Sequence, residues 1–232
     1  MNTVDTSNIT LCLTIGKRPE LLRQTLNSLF QYVQFAHVIA INDFRDEETN
    51  AVFRELCPSG ILISLPEQVG HHKAVDTMYA QVKTDYVFHC EDDWLFDRPV
   101  PIQQSIQLLQ HDSNISLVCF RKVSDIHHTD EQKKLIQVQQ TADMPIIRID
   151  HLHEQWHGYS FNPHLAPLVL WQEIGGFSQF KKERHISRFL RAKSKYMVHP
   201  EQAPCHHIGE ENSVANPPKE NWLKKISTKI FG

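Results

Sequence analysis

The sequence predicts an α/β fold, a Rossmann-like and mainly parallel sheet with flanking helices in a single globular domain. Three observations lead there. Short β-branched apolar runs alternate with helical patterns through the first hundred residues, and strands spaced by helices need crossover connections, which make parallel sheets. These runs end on polar or acidic groups at Thr14, Asp43 and Asp92-Asp93, as expected where strand C-termini open onto a ligand crevice. The chain has 232 residues, 41% hydrophobic and 22% charged, enough for a sizeable core in an ordinary soluble domain.

Residues 9–15 form the opening strand, which ends at Gly16-Lys17-Arg18-Pro19. Pro19 suits the first turn of a helix, and Leu22, Leu26, Leu29 and Val33 follow at i, i+4, i+7 and i+11. A second strand over 37–42 closes on Asp43, and Asp46-Glu47-Glu48 suits the positive end of the next helix. A third strand covers 61–65. Ala74, Val75, Met78, Tyr79 and Val82 share one face of a helix over 71–82. The fourth strand, 86–90, runs directly into Glu91-Asp92-Asp93-Trp94.

The second half is less regular. Ile102, Ile106 and Leu109 mark a helix, and 115–120 another strand. Residues 121–144 read as a polar, partly helical excursion. Tryptophans and prolines crowd 156–171, Gly175-Gly176-Phe177 makes a turn, and an amphipathic helix covers 183–192. Asn216-Pro217-Pro218 separates a basic tail, residues 214–232 in all. There Trp222, Ile226 and Ile230 form an apolar stripe flanked by Lys224, Lys225 and Lys229, suited either to a bilayer interface or to packing on the domain.

Composition excludes some classes. A net charge of −3 offers no basic excess for nucleic acid. The five cysteines are scattered without a C-x-x-C pair, and Cys12, Cys90 and Cys119 lie in apolar runs, which suits a reducing cytosol. Residues 1–8 lack the apolar stretch of a signal peptide, and no run approaches the ~20 apolar residues that span a bilayer. The expected location is cytoplasmic, with the tail available for peripheral contact at the inner face of a membrane.

Glu91-Asp92-Asp93 carries the sharpest chemistry. Carboxylates clustered at a strand end repel one another unless a cation or solvent relieves them. Alternation puts Glu91 and Asp93 on one side and Asp92 on the other, an arrangement that holds a hard divalent cation against a diphosphate or simply caps the next helix. His206-His207-Ile208-Gly209 offers an imidazole, and a mixed oxygen and nitrogen site favours Mn2+ over Mg2+. His151 and His153 would share a strand face near His157, a zinc-compatible spacing that nothing completes. Trp94 and Trp156 suit sugar stacking or the core. Ser160 has no G-x-S-x-G setting, and the first loop lacks both G-x-G-x-x-G and the several glycines of a sugar nucleotidyltransferase.

In order, these pieces resemble the GT-A glycosyltransferases, particularly the inverting family 2, from residue 9 to about 213. The matching parts are Thr14 with Arg18-Pro19, Asp43, Gln68-Val69-Gly70 leading to Lys73, Glu91-Asp92-Asp93 as the D-x-D equivalent, Gly175-Gly176-Phe177 followed by Glu183, and His207-Ile208-Gly209. The resemblance implies a nucleotide-sugar-binding half over 1–98 and an acceptor-binding half over 99–213. It implies that Thr14 and Ile15 line the nucleotide pocket and that Asp43 accepts from the base. Arg18 or Lys73 would neutralise the diphosphate, Asp92 would contact ribose or sugar, and Asp93 with His207 would ligate Mn2+ or Mg2+. Glu183 would be the base, although the family's acidic pair is here reduced to that one residue. The implied partners are a nucleotide-sugar donor, most commonly a UDP-sugar, and a glycan or lipid-linked glycan acceptor of a bacterial surface. A catalytically silent glycan-binding protein of the same fold is the alternative.

Overall fold

The computed structural model describes residues 4–209, so the tail stripe lies outside the described residues. The chain opens with β1 (Ile9–Ile15), α1 (Pro19–Phe30), β2 (His37–Asn42), α2 (Glu47–Leu56), β3 (Ile61–Ser64), α3 (His71–Tyr79) and β4 (Tyr86–Glu91). It continues with β5 (Trp94–Phe96), α4 (Ile102–His111), β6 (Ile115–Cys119), α5 (Asp130–Leu135), β7 (Val138–Gln139) and β8 (Ile146–Ile147). The last elements are β9 (His164–Pro167), α6 (Leu168–Ile174), α7 (Glu183–Ala192), β10 (Tyr196–Pro200) and β11 (Cys205–His207).

Nine strands form one sheet in the order β3-β2-β1-β4-β9-β6-β10-β8-β7. Strands β3, β2, β1 and β4 are parallel, as are β6 and β10. Strand β9 runs antiparallel between β4 and β6, and β8 reverses against β10 and β7. The sheet is therefore mainly parallel with two reversed strands, both from the less regular half.

Side chains alternate across each strand, so Leu11 and Leu13 join one core and Cys12 the other. The first core packs α1, α2 and α4 through Leu22, Leu26, Phe53 and Leu108. The second packs α3, α6 and α7 through Val75, Met78, Leu170, Ile186 and Leu190. Helices cover both faces of the sheet, and each core draws on residues from both halves of the chain. All five cysteines are buried and free.

One local expectation is corrected. Residues Asp150–Leu152 form a single 3-10 turn, so His151 and His153 share no strand face. His151 Nε2 lies 3.2 Å from the Leu135 carbonyl instead, and among the described residues no three His, Cys, Asp or Glu side chains cluster to hold a metal.

Candidate active site

The site lies at the C-terminal ends of β1, β2 and β4. A cleft of about 620 Å³ opens there, with Thr14, Ile15, Arg18, Asp43, Asp92 and Glu183 in its wall. Asp43 follows β2 and is buried, and its two carboxylate oxygens accept from the Val69 and Gly70 N–H groups, each at 2.8 Å. It thus latches the loop that opens α3, and each oxygen keeps a lone pair for a ligand. Lys73 is exposed on α3 and does not line the cleft; the helix turns its Ala74-Val75 face inward instead. Lys181, from the turn before α7, is the lysine that reaches the cleft.

Glu91 and Asp92 line the cleft, whereas Asp93 and His207 lie just behind its wall. Asp92 is fully buried; its Oδ2 accepts from Gly16 N–H at 2.9 Å, and its Oδ1 pairs with Arg18. The same guanidinium reaches Asp93 Oδ2 at 2.5 Å, so Arg18 is the cation that bridges both aspartates. Burial pushes Asp92 up to about 7 against the opposing pull of Arg18. Removal from water, with repulsion from Asp93, Glu183 and Asp92, pushes Glu91 up to about 8. Burial acts on Asp93 too, but hydrogen bonds from His207 and the charge of Arg18 outweigh it and hold its carboxyl below the usual range.

His207 arrives through a long-range strand pairing. Strand β5 is held to α1 by the Thr25 and Ser28 hydroxyls, which accept from the Trp94 and Phe96 N–H groups. Strand β11 pairs antiparallel with β5 and places His207 opposite Trp94. His207 Nε2 then lies 2.9 Å from Asp93 Oδ2. Gly209 closes over the same carboxylate so tightly that a Cβ there would sit 2.5 Å from Oδ2. Trp94 is buried in this joint and unavailable for stacking on a sugar.

Metal fit can be judged from the donors. Asp93 Oδ1 is buried without a hydrogen-bond partner, and the imidazole of His207 stands beside the other oxygen. An unpaired carboxylate oxygen with an adjacent nitrogen suits Mn2+ or Mg2+. The protein brings two ligands together, so phosphate and water oxygens have to complete the sphere, as is usual for small hard cations at diphosphates.

Glu183 is the first residue of α7, on the same inward stripe as Ile186, Ser187 and Leu190. It lines the cleft and also a second cavity of about 330 Å³, walled by Arg121, His128, Trp156, His157 and Ser160. Its Oε2 accepts from Phe161 N–H at 3.2 Å. Burial raises its affinity for a proton, opposed by Phe161 N–H, the Ser160 hydroxyl and Arg121. The Gly175-Gly176 turn before it is held by Asp76 of α3, which accepts from Trp171 Nε1 and the Phe177 and Ser178 N–H groups at 2.7, 2.7 and 2.8 Å. Both glycines have φ near +80°, 79° and 87°, where other residues are strained.

Sequence reasoning missed Lys181, Phe161, Arg121 and Asp76. The first lies in the Lys181-Lys182-Glu183 run and the second in the proline-rich segment, neither with a period pointing inward. Asp76 is a lone carboxylate on a helix, and only its three long-range bonds reveal it.

The elements thus build a parallel half-sheet with an acidic strand end, a histidine closing on it and a carboxylate at the junction of two cavities. Solved structures share the fold. The mannosyltransferase PcManGT from Pyrobaculum calidifontis, in complex with GDP-Man and Mn2+, aligns at TM-score 0.67 and 12% identity over 97% of this chain and 62% of its own. GalNAc-T7 with UDP, GalNAc and Mn2+ aligns at 0.61 and 13% over 91% and 45%, and S. aureus TarS 1-349 at 0.58 and 12% over 88% and 61%. The chain therefore spans less than two thirds of each of these proteins. No curated protein sequence matches it. Residues 11–187 match the family described as Glycosyl transferase family 2, and the chain belongs to that family.

Proposed function

We propose that this protein transfers a sugar from a nucleotide-sugar donor to a glycan acceptor with inversion at the anomeric carbon. The observation that carries the reading is Glu183 at the junction of the donor-sized cleft and the second cavity. A carboxylate there faces a bound donor from the acceptor's side. Thr14, Ile15 and Asp43 hold the nucleoside, and Asp92 orients ribose or sugar. Asp93 and His207 would hold Mn2+ or Mg2+, which would supply positive charge to the leaving diphosphate. Arg18 adds a second cation once it turns from the aspartates.

In the reacting complex Glu183 takes the proton of the acceptor hydroxyl. That oxygen attacks the anomeric carbon, the bond to the diphosphate breaks, and the electron pair leaves with the nucleoside diphosphate. Raised proton affinity makes Glu183 a stronger base than an exposed carboxylate, which favours this role over a helix-terminal charge. Neighbouring structures hold GDP-Man in one case and UDP with GalNAc in another; a UDP-sugar is proposed because it is the common donor of the family. A growing bacterial surface glycan is proposed as the acceptor on the same analogy.

A second reading, a silent glycan-binding protein, draws on Arg18 standing across both aspartates. Nucleotide release from UDP- and GDP-sugars with Mn2+ separates the two. The enzyme reading expects release by the parent, and near-parental nucleotide affinity with strongly reduced turnover in Glu183→Gln. Equal turnover in Glu183→Gln removes the base assignment, and no release with any donor supports the silent reading.

A further inference from the structure

We propose that the outer face of α7, with the lysines that flank it, docks this protein on an anionic lipid surface. The reasoning begins with charge. Residues 181–195 carry seven Lys or Arg and a single carboxylate, Glu183, so this segment holds +6 in a chain whose total is −3, and the remainder holds −9. Glu183 points into the cleft, which leaves the outside of the helix purely cationic.

Lys181, Lys182, Arg184, Arg188 and Lys193 are exposed. None of them forms a salt bridge among the described residues. Elsewhere among the described residues, unpaired cations such as Lys17, Lys73 and Lys83 stand singly, and others are matched, as in Arg23–Glu55, Arg54–Glu47 and Lys122–Asp97. The field on α7 is felt by His185, which slight desolvation and then Arg184, Arg188, Lys182 and Lys181 hold below its ordinary value. Clustered like charge opposes the compact state until a partner of opposite sign relieves it.

The partner's second property is written beside the charges. An open groove of about 640 Å³ runs along α7 between Phe180 and Phe189, with Arg188, His185 and Arg191 on its walls and Glu154 as its one acid. The two phenyl rings meet edge to face at 5.5 Å, and Lys193 Nζ lies 4.4 Å over the Phe189 ring. Aromatic rings interleaved with cations suit the headgroup layer, where one end of each side chain is apolar and the other wet. Both rings are half-buried against the second core; a soluble polyanion would match the charge and leave their exposed edges in water. Lys181 also lines the donor cleft, so docking through α7 brings the mouth of the site close to the lipid plane. The segment's +6 against −9 elsewhere orients the approach.

The test is sedimentation of the full chain with vesicles of phosphatidylcholine, or of phosphatidylcholine mixed about two to one with phosphatidylglycerol. Binding is expected to the mixed vesicles alone and to weaken with salt. At about fivefold per lost cation, the triple variant Arg184→Gln, Arg188→Gln, Lys193→Gln should bind about a hundredfold more weakly, with parental melting temperature and nucleotide affinity. The tail lysines are controlled by Lys224→Gln, Lys225→Gln, Lys229→Gln, which should keep most of the binding. The proposal is overturned if the α7 variant sediments like the parent, if only the tail variant loses binding, or if the parent ignores anionic vesicles while binding inorganic polyphosphate.

Discussion

Asp76→Ala is the sharpest probe of how the base is held. One carboxylate accepts three hydrogen bonds from α6 and from the turn that leads to α7. Removing it strands the N–H of buried Phe177, while the half-buried Trp171 Nε1–H and the exposed Ser178 N–H lose a charged acceptor and turn to water. One stranded donor and the lost charge-assisted bonds amount to about 4 kcal/mol. At about 2–4 °C per kcal/mol for a domain of this size, the melting temperature should fall by about 8–16 °C. Asp76→Asn keeps one acceptor oxygen and should lose about 1–2 kcal/mol. Glu183 follows this turn, so transfer should drop in both variants by more than donor affinity does. Differential scanning fluorimetry paired with nucleotide titration reads both effects. An Ala variant that melts with the parent, or an Asn variant as damaged as Ala, would refute the latch.

Two further outcomes follow from the acidic run. Asp93→Asn preserves shape and removes the charge that faces Arg18 and His207; Mn2+-dependent turnover should fall by roughly two to three orders of magnitude, and full activity in excess chelator would contradict the metal assignment. Asp92 and Glu91 bind protons more tightly folded than unfolded, with values of about 7 and 8, so their contribution is fully present below the ordinary carboxylate range and is lost as pH rises through 7 and 8. Chemical denaturation without metal should therefore show stability falling from about pH 4 to about pH 8, and a flat profile would count against the buried acidic cluster.

The opening half was legible because each element obeys one local rule. The β-branched runs of β1 and β2 end where their patterns end, as does the amphipathic stripe of α7 in the second half. Strand β9 was not legible: His164-Leu165-Ala166-Pro167 has no β-branched residue and sits in a proline-rich stretch, yet it occupies the middle of the sheet because β4 and β6 pair with it on either side. Helix α6 was hidden in the same stretch. Around the cleft, carboxylates after an apolar strand make Asp92 and Asp93 candidates from sequence alone. His207 was reachable only through the family pattern, since a β5–β11 pairing across a hundred residues brings it to Asp93. The resemblance offers Arg18 or Lys73 to the diphosphate, and only the folded geometry shows Arg18's grip on both aspartates.

The central claim, that the cleft takes a nucleotide sugar with a divalent cation, is tested most directly by a thermal-shift panel of UDP, GDP, ADP and CDP with and without Mn2+. One nucleoside diphosphate, expected to be UDP, should raise the melting temperature by about 5–11 °C at a hundredfold excess over its Kd. Mn2+ should be required for the full shift, and Asp93→Asn should lose the Mn2+-dependent part of it. No shift with any nucleotide, or an equal shift with chelator present, would contradict the account.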